Sequence, residues 1–210
     1  EEVFFRGYLY RAALAYGRSA AFVLTLILFV ALHAEQSWGN WGGLLAIAIT
    51  GLPAVLKTRQ LGYDGKGQAK IAKGGDPVAA WRSLHNEPCI VEGFIDFERE
   101  VSVVAARSRD GKVECFEVTE NEHRDHILKI SRVPAKVTPA LANEARQIAS
   151  RIAKAFDYVG VLAVEMFVVR KGSGRKLLLN EIAPRVHNSG HWTIDGATVS
   201  QFEQHIRAVA

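Results

Sequence analysis

The chain has 210 residues, of which 49% are hydrophobic and 23% are charged, and its formal net charge is +4. These proportions are those of an ordinary globular protein and not those of a low-complexity or fibrous chain. The small positive excess allows an anionic partner such as a nucleotide phosphate, but it more often indicates only a solvated surface, and we expect no nucleic-acid partner. Cys89 and Cys115 are too few for a disulfide framework and lack metal-ligand spacing, which favours a reducing compartment.

The first 50 residues are predominantly apolar and are predicted to be helical. Residues 1–16 read as a helix, in which Glu2 and Arg6 are four positions apart and form a favourable ion pair. Residues 20–34 are apolar around the whole helix, which predicts full burial or contact with lipid. This segment and residues 41–56 are each shorter than the ~20 residues that span a bilayer comfortably. We expect membrane association through residues 20–56, and we expect the chain to start inside a longer sequence.

Beyond Thr50–Pro53 the residue pattern becomes that of a soluble protein with alternating strands and helices. The predicted elements, in chain order, are a strand at 53–57, a helix from Asp76–Pro77 to about 84, strands at 89–94, 100–107 and 112–118, a helix from Thr138–Pro139, a hairpin across 172–174 and a helix from about 199. Strand 100–107 alternates, with Val101, Val103 and Ala105 on one face. The apolar positions of the long helix are Leu141, Ala145, Ile148, Ile152 and Phe156.

The hairpin predicts a cation site. If Gly172 to Gly174 form a three-residue loop, paired positions add to about 346, so that Glu165 lies opposite Glu181 on the same face. Two opposed carboxylates repel each other unless a cation lies between them. The polar residues that follow would meet a ligand there: Arg185, His187, Asn188, Ser189 and His191.

A glycine-rich segment follows the first strand. Residues 62–68 read GYDGKGQ, after a strand that contains Lys57. Glycines let backbone N–H groups approach phosphate oxygens and a lysine adds charge, although the Walker pattern is absent. Residues 92–95 and Glu100 would suit a hinge that reads adenine and ribose. Taken alone, the glycine-rich segment more often indicates a flexible surface loop, residues 92–95 and Glu100 an ordinary strand and turn, and His123 a surface histidine.

Four segments together are very similar to the N5-carboxyaminoimidazole ribonucleotide synthetase family of the ATP-grasp superfamily: PAVLKTRQLGYDGKGQ, EGFIDFEREVSVVAARSRDG, ENEHRDHIL and NEIAPRVHNSGHWTIDGATVSQFEQHIRAV. The resemblance covers residues 52–210. It implies an α/β (α+β) ATP-grasp core that uses ATP and Mg2+, in a cytoplasmic enzyme that is commonly homodimeric. The implied reaction converts ATP, bicarbonate and aminoimidazole ribonucleotide to N5-carboxyaminoimidazole ribonucleotide, ADP and phosphate in purine biosynthesis, through carboxyphosphate.

The resemblance also implies roles for individual residues. ATP would be bound by Lys57, Gly62, Tyr63, Asp64, Gly65, Lys66, Gly67, Gln68, Glu92, Gly93, Phe94, Ile95, Glu100, His123, Asn180 and Glu181. Tyr63 and Asp64 would also reach the imidazole substrate. Glu165 and Glu181 would ligate Mg2+, a hard ion that prefers oxygen ligands. Arg185 would face the transferring group, with His187, Asn188 and Ser189 at the bicarbonate and amine side.

Residues 1–51 resemble a different family, the CAAX-type and bacteriocin-processing intramembrane metalloproteases. The resemblance rests on EEVFFRG, with Glu1, Glu2 and Arg6, and on FVALH, which ends at His33. In that family such residues gather a metal and activate water within the membrane. The family's later histidine motif is missing, and an isolated EExxxR is otherwise a solvated ion pair. We therefore expect a chimeric chain of two domains, 1–51 and 52–210.

Two flanking domains of the synthetase family are missing from the sequence, and they contribute to its substrate sites. We therefore expect an incomplete synthetase with little ligase activity. The alternatives are a fragment of a membrane metalloprotease and a nonfunctional fusion whose apolar N-terminus drives aggregation or membrane association.

Overall fold

The computed structural model describes residues 50–60, 66–124 and 127–210. The chain divides into two compact units, the first ending at Phe94 and the second running from Ile95 to Ala210. The predictions for residues 1–49, including the helices, the protease-like motif and the membrane segment at 20–34, fall outside the described residues and stay predictions. Within the described ranges, no helix combines the length and apolar character needed to cross a bilayer.

The first unit contains a three-stranded antiparallel sheet of order β2-β1-β3. The strands are β1 (Ala54–Thr58), β2 (Gln68–Ile71) and β3 (Cys89–Gly93), and the helix is α1 (Pro77–Ser83). The predicted cap of α1 is confirmed, since the Asp76 carboxylate accepts a hydrogen bond from the Val78 N–H at 2.8 Å. Leu56, Ile71 and Leu84 form the small core between sheet and helix.

The second unit contains a six-stranded sheet of order β7-β6-β4-β8-β9, with β5 paired to β4. Its strands are β4 (Arg99–Arg107), β5 (Val113–Cys115), β6 (Thr119–Arg124), β7 (Ile127–Arg132), β8 (Gly160–Lys171) and β9 (Gly174–Ala183). Every pairing is antiparallel. The predicted α/β (α+β) class is therefore observed in its α+β form, with antiparallel sheets and helices packed on them.

Three helices accompany this sheet: α2 (Pro139–Ala155), α3 (Thr193–Gly196) and α4 (Gln201–Val209). The predicted start of α2 is confirmed, because the Thr138 hydroxyl accepts a hydrogen bond from the Leu141 N–H at 3.3 Å. The last helix is likewise confirmed, and Ser200 caps it at Glu203.

The face of α2 that packs on the sheet differs in part from the prediction. The buried residues recur every four positions: Leu141, Ala145, Ala149 and Ala153. Ile148 and Ile152 pack beside this stripe and are partly buried. Phe156 is 62% exposed, so its predicted place on the apolar face is wrong. Phe156 is the C-cap residue, beyond the last helical turn, so its side chain does not continue the buried stripe. The alanines of that stripe are small and pack close to the sheet.

Both faces of the central strands are covered, but differently. Val101, Val103 and Ala105 lie on the face that packs against α2, as the alternation predicts. The opposite face has a smaller apolar cluster that includes Val104 and Ala163. Beyond this cluster, the same face carries polar side chains, and these form the candidate site.

Ala149→Leu is expected to lower the free energy of unfolding by about 1–3 kcal/mol. Ala149 is fully buried within the α2–sheet core, so a larger side chain there must displace its neighbours. Urea unfolding followed by circular dichroism measures the change.

Ala155→Leu is the matched control, because Ala155 is exposed at the end of the same helix. Its expected change is within about 0.5 kcal/mol. Equal stability of the two variants would show that α2 does not pack closely on the sheet.

Candidate functional site

The β8–β9 hairpin brings two glutamates together, although by a different register from the one predicted. The turn is tighter than expected, since Lys171 pairs with Gly174 and two residues connect the strands. Pairs whose numbers add to 345 continue up to Met166 and Leu179. A β-bulge then shifts the register, and Glu165 pairs with Glu181. The predicted pairing is confirmed, but it depends on the extra residue Asn180 in β9 and not on a three-residue loop.

One face of the sheet carries a continuous row of polar side chains across four strands. Ser102 of β4 lies directly opposite Glu165 of β8, and Glu100 lies opposite Asn121 of β6. Residues directly opposite each other share a face, as do residues two apart in one strand. Glu100 therefore lies on the face of Glu165 and Glu181.

Glu100, His123 and Glu165 form a compact group in which one ligand atom from each lies within 4.8 Å of the others. The His123 Nδ1 atom is 3.3 Å from the Glu100 Oε2 atom. Sequence analysis assigned Glu100 and His123 to the nucleotide and Glu165 to the metal, whereas the structure brings all three into one cluster. Glu181 is the more exposed member of the opposed pair. The carboxylate oxygens of Glu100, Glu165 and Glu181 are the kind of ligand that Mg2+ prefers, whereas the His123 nitrogen is not.

The carboxyl group of Glu165 is held in an unfavourable environment for a negative charge. Its residue is 7% exposed. Burial first, then the charges of Glu100 and Glu181, raise its pKa to about 7, although the nearby His123 acts in the opposite direction. The hydrogen bond to Glu100 raises the pKa of His123. The site is therefore short of positive charge, and its carboxylates could hold a cation.

His187 faces the same carboxyl group from the loop after β9. Its Nε2 atom is 3.7 Å from Glu165 Oε1. Burial first, then the positive charge of Arg185, lower the pKa of His187 to about 4, so the imidazole is neutral near pH 7 and the contact is not an ion pair. The Ser189 N–H donates to Nδ1 at 3.3 Å, which leaves the ring proton on Nε2, directed at Glu165.

A fully buried glutamine at the start of α4 holds this loop in place. The Gln201 Oε1 atom accepts a hydrogen bond from the His187 N–H at 3.0 Å, and its Nε2 donates to the His187 carbonyl at 2.7 Å. The Thr193 hydroxyl accepts from the Gln201 N–H at 2.9 Å and donates to the Gly190 carbonyl at 2.6 Å. Sequence analysis missed Gln201 and Thr193, because a polar residue at a helix start gives no sign of being buried.

In the first unit, the structure describes part of the predicted phosphate-binding set. Lys57 Nζ is 2.6 Å from Glu92 Oε2, an ion pair across β1 and β3. Lys70 Nζ lies 3.6 Å from the centre of the Phe94 ring. The Gly67 carbonyl accepts a hydrogen bond from the Thr58 N–H at 2.7 Å, which holds the end of the glycine-rich segment beside β1. Gly62, Tyr63, Asp64 and Gly65 lie outside the described residues, and their assignment stays a prediction.

The remaining predicted residues lie in separate elements of the two units. Gly93 ends β3, and Ile95 opens the second unit. Lys66 precedes Gly67 in a turn, and Gln68 begins β2. Asn180 is the half-buried bulge residue, and Asn188 is exposed in the loop after His187. The Arg185 side chain is exposed and donates to the Val186 carbonyl at 3.1 Å.

Comparison with known proteins gives a consistent family. The ATP-grasp domain matches residues 26–202. The N5-carboxyaminoimidazole ribonucleotide synthase of Brucella melitensis is 51% identical over 169 residues, which cover 80% of this chain and 46% of that protein. A crystal structure of an ADP complex of N5-carboxyaminoimidazole ribonucleotide synthetase superposes with a TM-score of 0.74 at 44% identity, covering 80% of this chain and 44% of that one.

A second solved structure, from Aspergillus clavatus, contains ADP and 5-aminoimidazole ribonucleotide. It superposes with a TM-score of 0.72 at 28% identity, covering 86% of this chain and 49% of that one. The chain thus spans less than half the length of these relatives. The domain match begins at residue 26, within the segment 1–51 that sequence analysis assigned to a protease fragment, and the comparisons give the chimera no support.

Replacing Glu165 with glutamine is expected to raise the free energy of unfolding at pH 8 by about 2–3 kcal/mol in EDTA. The folded-state pKa of about 7 lies above the ordinary value of 4.5, so the folded chain binds the proton more tightly than the unfolded chain. Glu165 therefore makes its full contribution to the free energy of unfolding below about pH 4.5, and this contribution is lost as the pH rises through 7. The advantage of Glu165→Gln should disappear near pH 4.5, as measured by urea unfolding at several pH values.

Glu144→Gln serves as the control, since Glu144 is exposed on α2. As an exposed surface substitution, it should change the free energy of unfolding by less than about 0.5 kcal/mol. A Glu165→Gln advantage that is the same at pH 4.5 and pH 8 would contradict the assigned environment.

Proposed function

Because the chain belongs to the ATP-grasp family, we propose that it binds ATP with Mg2+ and acts as the ATP-dependent carbon–nitrogen ligase part of an N5-carboxyaminoimidazole ribonucleotide synthetase. The observation that carries this proposal is the opposed pair Glu165 and Glu181. Together with Glu100, these two residues place three carboxyl groups near one another on one face of the sheet. Relatives at about half identity that bear this name support the same substrate class.

The proposed reaction joins bicarbonate to the amine of aminoimidazole ribonucleotide at the expense of ATP, in purine biosynthesis. ATP phosphorylates bicarbonate to carboxyphosphate, and ADP leaves. The amine then attacks the carboxyl carbon of carboxyphosphate and displaces phosphate, or carboxyphosphate first releases phosphate and CO2, and the amine attacks the CO2. In both routes the nitrogen loses a proton. Such chemistry depends mainly on neutralising and positioning charged groups.

Mg2+ would be held by Glu165 and Glu181, with Asn180 beside them. The ion would supply charge neutralisation at the phosphates. The bulge at Asn180 matters here because it turns both carboxylates to one face. The Asn121 Oδ1 atom on that face is buried and accepts no hydrogen bond from the described residues, so it is a further unused oxygen close to the cluster.

The nucleotide would be held by residues that the structure places in two groups. Lys57 and the segment 62–68 of the first unit would bind phosphates, and residues 92–95 would frame the adenine. Lys57 would then exchange its ion pair with Glu92 for a phosphate oxygen. In the second unit, Glu100 would accept hydrogen bonds from the ribose hydroxyls, and His123 would contact the nucleotide. The contact between Glu100 and His123 holds both side chains in place.

The acceptor side would be formed by the loop after β9. Arg185 is exposed and keeps its charge available for a carboxyphosphate oxygen. His187 is neutral and presents an N–H, so it can donate a hydrogen bond without adding charge. Asn188 adds an uncharged amide. These residues would orient bicarbonate and the amine, and the two hydrogen bonds from Gln201 to the His187 backbone would hold the loop in position.

Homodimer formation and a cytoplasmic location remain proposals that follow from the resemblance to this family. Membrane association of residues 20–56 remains a proposal that rests on the apolar sequence of this segment. No observation on the described residues favours the protease alternative.

Glu181→Gln is expected to weaken Mg·ATP binding about tenfold, because it removes one of the two opposed charges that would hold the ion. Isothermal titration calorimetry with Mg·ATP measures this effect, and titration with ATP in EDTA should show little difference between the two proteins. Glu181 is exposed, so the substitution should not disturb folding.

Glu114→Gln is the matched control, on an exposed residue of β5 paired with Lys112. It should bind Mg·ATP as the native chain does. Mg·ATP affinity that is unchanged in Glu181→Gln would contradict the metal assignment.

Phosphate release from ATP is expected to require bicarbonate and aminoimidazole ribonucleotide together. A coupled phosphate assay that omits each component in turn measures this requirement. Release that is independent of the ribonucleotide would point to a different acceptor and would overturn the proposed substrate.

A further inference from the structure

The last helix, α4, is held in the fold by few buried side chains. It has nine residues, a length at which an isolated helix is not stable in water. Its buried residues are Gln201 and Ala208, so little apolar area holds it against the sheet. His205 is four positions after Gln201 and three before Ala208, which places all three on one face of the helix. Polar contacts of this face must therefore contribute to the docking of α4.

His205 provides a hydrogen-bond acceptor for the start of β8. Its Nδ1 atom accepts a hydrogen bond from the N–H of Val161, which is fully buried, at 3.0 Å. β9 ends at Ala183, opposite Ala163, and does not reach Val161. The Val161 carbonyl likewise accepts from a side chain, the Tyr158 hydroxyl, at 3.2 Å. His205 thus takes the place of a strand partner, and its loss would leave a buried N–H without that acceptor.

Two glycines leave the space that the polar side chains of α4 occupy. Gly160 has a φ angle of +120°, and a Cβ atom there would lie 2.8 Å from the His205 Cε1 atom. A Cβ atom at Gly190 would lie 2.7 Å from the Gln201 Cδ atom. Both distances are too short for a real side chain, and the φ angle of Gly160 also disfavours one. His205 and Gln201 therefore each approach a backbone that only glycine allows.

The buried face of α4 connects two parts of the candidate site. Gln201 binds both backbone groups of His187, whose ring lies beside Glu165. One helical turn later, His205 binds the start of β8, the strand that contains Glu165. Residues one turn apart in a helix move together, so a displacement at His205 would also displace Gln201. The turn 187–190 is thus fixed relative to β8 through α4.

We propose that His205 is a positioning residue for the turn 187–190. Its hydrogen bond to Val161 holds α4 against β8, and Gln201 of the same helix face then holds His187 beside Glu165. The effect on catalysis rests on the proposed function, in which this turn forms the acceptor side. The effect on the order of the turn does not, because it follows from the hydrogen bonds alone.

Amide hydrogen exchange of the full chain, followed by NMR, tests the order of the turn. His205→Leu removes the acceptor and keeps an apolar side chain of similar size. The His187 and Gly190 amides are expected to exchange about tenfold faster in this variant, because the turn opens locally when α4 loses its contact with β8. His205→Asn places an oxygen near the position of Nδ1 and should restore exchange to within about threefold of the native rate.

Two variants serve as controls. Gln204→Leu changes the residue beside His205, which is half-buried in the same helix, and should leave exchange of the turn unchanged. Ala149→Leu lowers overall stability through the α2 core and should also leave it unchanged, since the turn opens without global unfolding. Equal acceleration by Ala149→Leu and His205→Leu would overturn the proposal.

The asparagine variant gives a second criterion, which holds even if His205→Leu does not fold. In His205→Gln the acceptor oxygen lies one bond further from the backbone, so its turn should exchange faster than that of His205→Asn. Exchange in His205→Asn that is as fast as in His205→Gln would contradict a role for the Nδ1 acceptor.

The coupled phosphate assay tests the effect on catalysis. His205→Leu is expected to raise the KM for aminoimidazole ribonucleotide about tenfold and to leave the KM for ATP within about twofold, because the turn would contact the acceptor side. Equal rises in both KM values would overturn the positioning role. A native chain without ligase activity would contradict the proposed function, and the exchange measurements would then decide the role of His205 by themselves.

Discussion

Repulsion between carboxylates on one face of the large sheet is the constraint around which the second unit is arranged. Glu165 is nearly inaccessible to water, and it is flanked by Glu100 on one side and opposed by Glu181 on the other. A buried charge without a partner is costly, so this placement is stable only with the carboxyl protonated or with a cation bound. The high pKa of Glu165 and the low pKa of His187 are two consequences of the same poorly solvated site.

The two faces of the large sheet differ, since one packs against a helix and the other carries the polar side chains of the candidate site. On one face, the alanine stripe of α2 packs directly on β4 and β8 and supplies most of the apolar core. On the other face, a small apolar cluster supports one end of the strands and leaves the other end to polar side chains. Because β4 and β8 are buried on both faces, the glutamates project from rigid strands and not from mobile loops.

A loop completes the site, and it is held as firmly as the strands. Gln201 and Thr193 connect the backbone of the 187–190 turn to the start of α4 by four hydrogen bonds, of which two are buried and two are partly buried. Removing such a buried partner leaves unsatisfied groups behind, which costs about 1–3 kcal/mol for each. The position of His187 beside Glu165 depends on this anchoring, because Gln201 holds the His187 backbone.

Neighbouring residues in the sequence are enough to predict the local elements and to suggest a cation site. Asp76–Pro77 and Thr138–Pro139 mark two helix starts, alternation marks β4, and paired glutamates across a glycine turn indicate a cation, since each signal acts over a few neighbouring residues. Which distant side chains meet depends instead on tertiary packing. The bulge at Asn180, the joining of Glu100 and His123 to Glu165, and the burial of Gln201 all depend on contacts between separate strands and helices. Local propensity does not encode such contacts, because burial is a property of the packed sheet and not of a residue and its neighbours in sequence.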